Sequence, residues 1–243
     1  MKKPKALLFL AVPVVALVTF RLATKWRAAD ILLSEQNLDV TFDCLGCGNW
    51  SPSDGSVVGL LAIKSVTVSI TGDLKRAKQI GGALSVFGSI KEFTCSRNYP
   101  EAVDDIFDGL PKGQRLNRLY LSSMALDDHF VSKLAKFSKV AVISIIGGEI
   151  NGEQWPAMPE LEDLDVSYCL ITNRGLKQIL FSCPKIKRLE IKNSKVTTSG
   201  VEVALAATGN RECTIVISGI PDLSDDWSSE MTKRYPNVDL RCD

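Results

Sequence analysis

The chain has little of what most enzymes use. His129 is its only histidine, so the usual pairing of a serine or cysteine nucleophile with an imidazole base could be built only around that residue. No neighbouring residue supports such a pair. The sequence therefore predicts a protein without catalytic activity.

Motifs for nucleotides and metals are missing as well. Gly147, Gly148 and Gly152 lie close together, but they fit neither the GxGxxG nor the GxxxxGK[ST] spacing, so we expect turn glycines and no phosphate loop. Cys44 and Cys47 form the only C-x-x-C, and a zinc site would need two more ligands. We expect no cofactor, no metal and no small-molecule substrate.

Cys44 and Cys47 nevertheless have the best claim to reactivity in the chain. A redox dithiol needs its first cysteine at a helix amino terminus, whereas Gly46, Gly48 and Pro52 here favour turns. A structural disulfide or a buried pair is the favoured interpretation. A metal half-site and a thiol oxidoreductase that uses Cys44 and Cys47 are the alternatives.

Basic charge is scarce outside the first 29 residues. Those residues hold six of the 29 basic residues and no acidic one, which leaves 23 basic against 28 acidic groups, a net charge of about −5, for residues 30–243. A nucleic-acid surface needs a basic stripe. We therefore expect no nucleic-acid partner.

Residues 1–29 resemble a targeting segment. Ala6 to Phe20 contain no charge and follow three lysines; as a helix they would cover about 22 Å, or about 27 Å if Arg21 snorkels and Leu22 and Ala23 are included, against about 30 Å for a bilayer core. The sequence predicts contact with a membrane through residues 6–23. A signal peptide and an uncleaved signal anchor are the two candidates.

Arg21 and Arg27 bear on whether the segment is cleaved, and the cysteine count bears on which side of the membrane the following domain lies. A cut after Ala23 or Ala29 would leave Arg21 or Arg27 where a small residue is required, so an uncleaved anchor is favoured. An anchor at the start of a chain makes export of the following domain the default. The odd total of seven cysteines argues the other way, so a cytoplasmic location stays open.

The strongest positive signal is a repeat of 25 residues. LEDLDVSYCLITNRGLKQIL from Leu161 matches IKRLEIKNSKVTTSGVEVAL from Ile186 at its apolar positions and at Gly175 and Gly200. The same spacing of apolar residues can be followed outward with starts 21 to 27 residues apart, at Ile63, Ile90, Leu116, Val140, Leu161, Ile186 and the position of Glu212. A period of 20 to 29 residues with LxxLxL predicts a leucine-rich repeat solenoid, in which each unit supplies one strand and one helix.

Cysteines refine this interpretation. The run SYCLITNRGLKQILFSCPKIKRLEI, with Cys169 after one strand and Cys183 before the next, resembles the cysteine-containing leucine-rich repeat family found in F-box adaptors and in many bacterial proteins. The resemblance implies a substrate-selecting adaptor, although no F-box helices precede the repeats. From the residues alone, Cys169 is expected to be a small buried side chain. His129 aligns with Arg174 and is expected in an exposed loop.

The predicted organisation is an α/β protein with an N-terminal hydrophobic helix. Residues 30–62 form an amino-terminal cap, 63–220 the repeats, and 221–243 a carboxy-terminal cap with a polar helix and a last strand at Val238 to Leu240. In the shortest unit, Trp155, Pro156 and Pro159 are expected to replace the helix by an extended segment.

Function is predicted on the concave strand face. Successive side chains of a strand point to opposite faces of the sheet. The residues between the apolar positions should therefore form a middle column across neighbouring strands, which begins with Thr67 and Thr94, and one further column on each side of it. We expect a protein partner to contact Arg118, Tyr120, Ser144, Asp163, Asp165, Arg188, Glu190 and Lys192. A merely solvated sheet and a purely structural envelope protein are the alternatives.

Overall fold

The predicted α/β class is confirmed. The computed structural model describes residues 5–44, 48–50, 63–72, 74–96, 99–137, 139–208 and 211–242, and it describes side chains in all of these except 5–16, 43, 44 and 48–50. These residues contain seven α-helices and one ten-stranded sheet.

Strands and helices alternate along most of the chain. The strands are β1 (Leu38–Cys44), β2 (Gly48–Trp50), β3 (Ile63–Ile70), β4 (Ser89–Cys95), β5 (Arg115–Ser122), β6 (Val142–Ile146), β7 (Asp163–Asp165), β8 (Arg188–Lys192), β9 (Cys213–Ser218) and β10 (Val238–Cys242). The α-helices are α1 (Lys5–Leu33), α2 (Ala77–Leu84), α3 (Pro100–Gly109), α4 (Asp128–Lys133), α5 (Asn173–Ser182), α6 (Thr198–Thr208) and α7 (Asp225–Arg234).

The sheet follows the order of the chain. From β3 to β10 each strand pairs in parallel with the next one, and β1 adds antiparallel pairs with β3 and β2 at one edge. The predicted last strand is present as β10, beside β9, and a helix precedes it as expected. Neighbouring strands therefore come from segments about one sequence period apart.

The apolar strand positions that the sequence predicted are buried. All side chains at these positions of β4 to β9 are at most 3% exposed, namely Ile90, Phe93, Cys95, Leu116, Leu119, Leu121, Val140, Ile143, Ile145, Leu161, Leu164, Val166, Ile186, Leu189, Ile191, Ile215 and Ile217. They pack with apolar side chains of the helices into one core. The hydrophobic effect of this shared core holds the strands and helices together.

The alignment of the first unit was wrong. Thr94 lies opposite Ser69, and Thr67 lies opposite Glu92, whereas the predicted alignment placed Thr67 beside Thr94. A shift of two residues leaves the same side chains on the buried face, since the period of a strand is two. The apolar pattern of β3 therefore cannot distinguish the two registers.

A left-handed residue ends each strand from β5 to β9 at the same position. Two residues after the last buried strand side chain, φ lies between 49° and 79° at Ser123, Gly147, Tyr168, Asn193 and Gly219. At Ser123, Gly147, Tyr168 and Asn193, the backbone N–H donates a hydrogen bond of 2.7 to 2.9 Å to the next unit. The acceptor is the carbonyl of the residue that directly precedes the left-handed residue of that unit. Glycine and asparagine tolerate this conformation readily, whereas Tyr168 adopts it at some cost.

Helices α4 to α7 begin at polar caps that recur between units. Asp127, Thr172 and Ser224 each accept a hydrogen bond from the backbone N–H three residues later, at 3.0 to 3.2 Å, at the starts of α4, α5 and α7. Thr197 makes the corresponding bond to Gly200 at 3.3 Å before α6. The caps fix where α4 to α7 start behind their strands, whereas α2 and α3 begin without a side-chain cap.

The shortest unit has no helix between β6 and β7. The predicted loss of the helix is confirmed, and Trp155, which is 1% exposed, packs into the core there. Gly147, Gly148 and Gly152 all have positive φ, so they are turn glycines. At Gly148 an added Cβ would lie 2.9 Å from the carbonyl oxygen of Leu126, which leaves no room for a larger residue.

Helix α1 continues from the apolar segment into the domain without a break. Ala28, Ala29 and Leu32 are buried and belong to the core, so the predicted boundary after Ala29 falls inside a helix. In the expected membrane segment, residues 6–23, the side chains of residues 6–16 lie outside the described ones. Among the residues that the structure describes, no helix combines the length and apolarity needed to cross a membrane.

The structure describes the carboxy-terminal cap more fully than the amino-terminal one. Of residues 30–62, the positions 45–47 and 51–62 lie outside the described residues, while β1 pairs along the whole of β3. Cys47 and the side chain of Cys44 lie outside the described part as well, so the predicted pair stays a prediction. At the other end, α7 packs through Met231, which is 2% exposed.

Candidate functional site

The candidate site is the face of the sheet that carries the side chains between the buried positions; we call it the open face. The strand register aligns two rows of these side chains across β4 to β10. The first row is Glu92, Arg118, Val142, Asp163, Arg188, Thr214 and Asp239. The second row is Thr94, Tyr120, Ser144, Asp165, Glu190, Val216 and Arg241.

The structure brings the predicted residues together. Seven of the eight fall in these two rows, and Lys192 lies one step further along β8 in line with Ser218. All eight side chains are exposed or half-buried, so they are available at the surface. Their placement follows from the parallel register alone, because each residue holds the same offset from the buried position of its own unit.

Glu190 carries the tightest electrostatic arrangement on the open face. Its carboxylate contacts the Lys192 ammonium at 2.8 Å and the Arg188 guanidinium at 2.7 Å. Hydrogen bonds from Lys192 and then from Arg188 hold the pKa of Glu190 below its usual value. The three side chains of β8 therefore form one charged unit with a net charge of about +1.

Strand β7 contributes an acidic centre beside it. Burial raises the pKa of Asp163, an effect that the positive charge of Arg188 opposes. Asp165 accepts the backbone N–H of Ser167 at 3.0 Å and the hydroxyl of Ser144 at 3.4 Å. The open face thus presents acidic and basic groups side by side, which suits a partner with complementary charges.

Three residues of this face were missed by the sequence analysis. Glu92 lies opposite Arg118 and contacts it at 3.9 Å. Asp239 and Arg241 extend the rows onto β10, with Arg241 donating to Asp239 at 2.6 Å. The signal for Glu92 was present, since it has the same offset from Ile90 that Arg118 has from Leu116.

Val216 departs from the expected exposure. It lies in the second row between Glu190 and Arg241, yet it is only 5% exposed. The second row is therefore interrupted on β9, while Arg241 continues it on β10 as an exposed side chain. The uninterrupted part that holds the predicted residues lies on β5 to β8.

The remaining candidate residues are placed away from this face or inside the core. His129 is exposed as expected, but it lies in the first turn of α4, as Arg174 does in α5, because the Asp127 cap starts the helix earlier than predicted. Burial raises the pKa of the Cys169 and Cys183 thiols to about 12. These thiols are therefore unreactive at neutral pH, as small buried side chains should be.

Within the part of the chain that the structure describes, no group of three or more histidine, cysteine, aspartate or glutamate residues could hold a metal ion. The aligned rows of polar and charged side chains make the open face the best-defined candidate site. No protein-family model matches the chain, and no curated protein matches it either.

Proposed function

We propose that the chain is a leucine-rich repeat solenoid that binds a protein partner on its open face without catalysing a reaction. The observation that carries this proposal is the pair of aligned rows of polar and charged side chains across β5 to β8. Supporting it, a left-handed residue follows each of five consecutive strands, β5 to β9, and its backbone hydrogen bond follows the first four. Repeat arrays of this kind offer one continuous sheet face to a partner.

The chemistry of the rows indicates which residues contribute most. Tyr120 and the two arginines Arg118 and Arg188 are of the types enriched at interface hot spots. Tyr120 lies directly beside Ser144, and Arg188 directly beside Asp163. A partner that covers β5 to β8 would bury an aromatic ring next to a mixed-charge surface, an arrangement that favours specific association.

Site-specific crosslinking tests this proposal. A photoreactive phenylalanine in place of Tyr120 should form a crosslink to one partner in the native cells. The same residue in place of Phe181, which is 81% exposed on α5, is the matched control and should not capture that partner. Equal capture from both positions would count against the open face.

An alanine series then measures the contribution of each side chain. Arg118→Ala, Tyr120→Ala and Arg188→Ala should each weaken binding of the captured partner by about fivefold or more, which corresponds to a loss of about 1 kcal/mol or more. Lys177→Ala on α5, an exposed position away from the sheet, should leave affinity unchanged. Unchanged affinity in all three open-face variants would contradict the proposal.

We also propose that residues 6–23 hold the chain at a membrane, with the repeats on the extracytoplasmic side. The support is the charge-free run Ala6 to Phe20 between basic residues and the exposure of Leu17, Val18 and Phe20 at 54%, 44% and 71%. The chain should stay in the pellet after an alkaline wash of membranes. External protease should reach the repeats in intact cells; release by the wash would refute the proposal.

A further inference from the structure

We infer that the acidic centre of the open face, formed by Asp163 and Asp165, receives an arginine side chain of the protein partner. The inference rests on the proposed function, because it names the chemical group that the partner presents to the middle of the same face. Three observations carry it: the charge of two neighbouring strands, the hydrogen bonding of the two carboxylates, and a buried hydroxyl beside them.

The first step is the charge of β7 and β8 on this face. Their open-face side chains include three carboxylates and two cations, namely Asp163, Asp165, Glu190, Arg188 and Lys192, so the net charge is about −1. Both cations contact Glu190, at 2.7 Å and 2.8 Å. The excess negative charge therefore lies on β7, and one added positive charge would neutralise the two strands.

The second step is the hydrogen bonding of the two carboxylates. Asp163 is half-buried and is flanked by Val142 and Arg188, yet none of the described residues donates a hydrogen bond to its side chain. Burial raises its pKa, which shows that its charge is poorly solvated. Oδ2 of Asp165 has only the long contact of 3.4 Å from the Ser144 hydroxyl. Both carboxylates can therefore accept hydrogen bonds from a partner.

The third step is an unpaired hydroxyl next to the acidic centre. Ser167 is 3% exposed, and its Oγ atom has no hydrogen-bond partner among the described residues. Its backbone N–H donates to Oδ1 of Asp165 at 3.0 Å, which places the residue next to that carboxylate. A buried hydroxyl without a partner costs free energy, so a donor that enters here would be stabilised.

A donor can reach this hydroxyl through a small change of the surface. Continuing the strand register, Ser167 lies between Ile146 on β6 and Lys192 on β8. Both of these side chains are half-buried on the open face. Changes of side-chain rotamer at an interface are common when a partner binds, and a rotation of these two side chains would open the hydroxyl.

The surroundings of the acidic centre favour arginine over lysine. A guanidinium has five N–H donors in one plane and can bind two carboxylates and a hydroxyl together, whereas an ammonium has three donors. Tyr120 lies beside Ser144, on the side away from Asp165, and its ring offers a face on which a guanidinium can stack. Val142 and Ile146 are half-buried apolar side chains that the methylene groups of an arginine can cover.

Amino-acid amides test this inference on the full chain in detergent solution, without the partner. The probes are the N-acetyl amides of arginine, lysine and glutamine, and the readout is the NMR signal of the aspartate carboxyl carbons. The arginine probe should shift the signals of Asp163 and Asp165 until they saturate, with a dissociation constant of about 10 mM, as one or two charge-assisted hydrogen bonds give. The lysine probe should bind about threefold more weakly, and the glutamine probe should not bind.

Substitutions locate the binding of the arginine probe. Asp163→Asn and Asp165→Asn remove the charge with little change of shape and should each weaken binding by about fivefold or more. Ser167→Ala should weaken it by about twofold without lowering the midpoint of thermal unfolding, because it removes an unpaired hydroxyl. Asp239→Asn is the matched control on the same face, where Arg241 already donates to the carboxylate at 2.6 Å, and should leave binding unchanged.

The outcomes separate this inference from the proposed function. Equal binding of the arginine and lysine probes, or a titration that Asp165→Asn leaves unchanged, overturns the arginine site while a protein partner on the open face stands. A captured partner should lose about tenfold in affinity for the Asp165→Asn chain, and unchanged affinity also overturns the site. Equal crosslinking from Tyr120 and Phe181 contradicts the proposed function itself, whatever the amides show.

Discussion

Replacing Gly175 by alanine tests how closely adjacent units are packed. The added Cβ would lie 1.9 Å from the backbone oxygen of Asn151 and 2.9 Å from its carbonyl carbon. That oxygen accepts the backbone N–H of Thr172 at 3.1 Å. The backbone therefore cannot move away without weakening a hydrogen bond between units.

Gly200 is the matched control, because it holds the same position in the next unit. Its added Cβ would lie 1.9 Å from Oδ1 and 2.9 Å from Cβ of Asn173, so most of the clash is with the end of a side chain that can rotate. Rotation would break the bond from the Thr197 N–H to Asn173 Oδ1, now 2.9 Å, and the bond from Asn173 Nδ2 to Thr197 Oγ1, now 3.0 Å. The carbonyl of Asn151 offers no such freedom.

The expected magnitudes follow from these contacts. Overpacking at Gly175 costs about 1–3 kcal/mol and the weakened hydrogen bond about 1 kcal/mol, against a gain of about 1 kcal/mol in helix propensity. We expect Gly175→Ala to lower the free energy of unfolding by about 2 kcal/mol. Gly200→Ala loses the two hydrogen bonds between Asn173 and Thr197, about 1 kcal/mol each, and gains the same propensity, so its effect should stay at about 1 kcal/mol or less.

Urea denaturation followed by circular dichroism measures both variants. In thermal unfolding, Gly175→Ala should lower the midpoint temperature by about 4–8 °C, since a chain of this size loses about 2–4 °C per kcal/mol. Equal effects of the two substitutions, or a larger effect at Gly200, would show that the carbonyl of Asn151 yields easily. The close packing of units inferred here would then be wrong.

Three further predictions concern the caps, the thiols and α1. Thr172→Ala removes the cap of α5 and should lower the free energy of unfolding by about 1 kcal/mol in urea titrations. Cys169 and Cys183 should resist iodoacetamide in the folded chain at pH 8 and react with it in urea. Because the pKa of both thiols in the folded chain, about 12, exceeds the unfolded value, the free energy of unfolding should fall as pH rises from about 9 toward 12. Cys169→Ala should reduce this loss. Leu32→Ala should cost about 3 kcal/mol, whereas Leu33→Ala next to it, 43% exposed, should cost less than about 1 kcal/mol; equal costs would show that α1 is not part of the core.

The strands could be predicted because the spacing of apolar residues in each unit indicates which strand positions are buried. Leu161, Leu164 and Val166 have the spacing of a strand entered through a turn, and the copy at Ile186 repeats it. Once the units are aligned, the parallel register places the open-face residues in rows without further information. Most of the candidate site was therefore accessible from the sequence.

Other features leave no such record. Ser123 and Tyr168 adopt the left-handed conformation, but neither residue type signals it as Gly147 does. Ala28 and Ala29 look like the end of an apolar segment, and only the packing of α1 against α2 shows that they belong to the core. The cation pair around Glu190 depends on side-chain rotation, which the order of residues does not specify.

The order of the strands also affects how the chain acquires its structure. From β3 to β10 each strand pairs with the one that follows it, so every pairing closes a loop of only about one unit. Short loops lose little chain entropy on closure. During synthesis each unit can add to the completed ones as soon as it leaves the ribosome, so the nascent chain should become protease-resistant in steps of about 25 residues, beginning at β3.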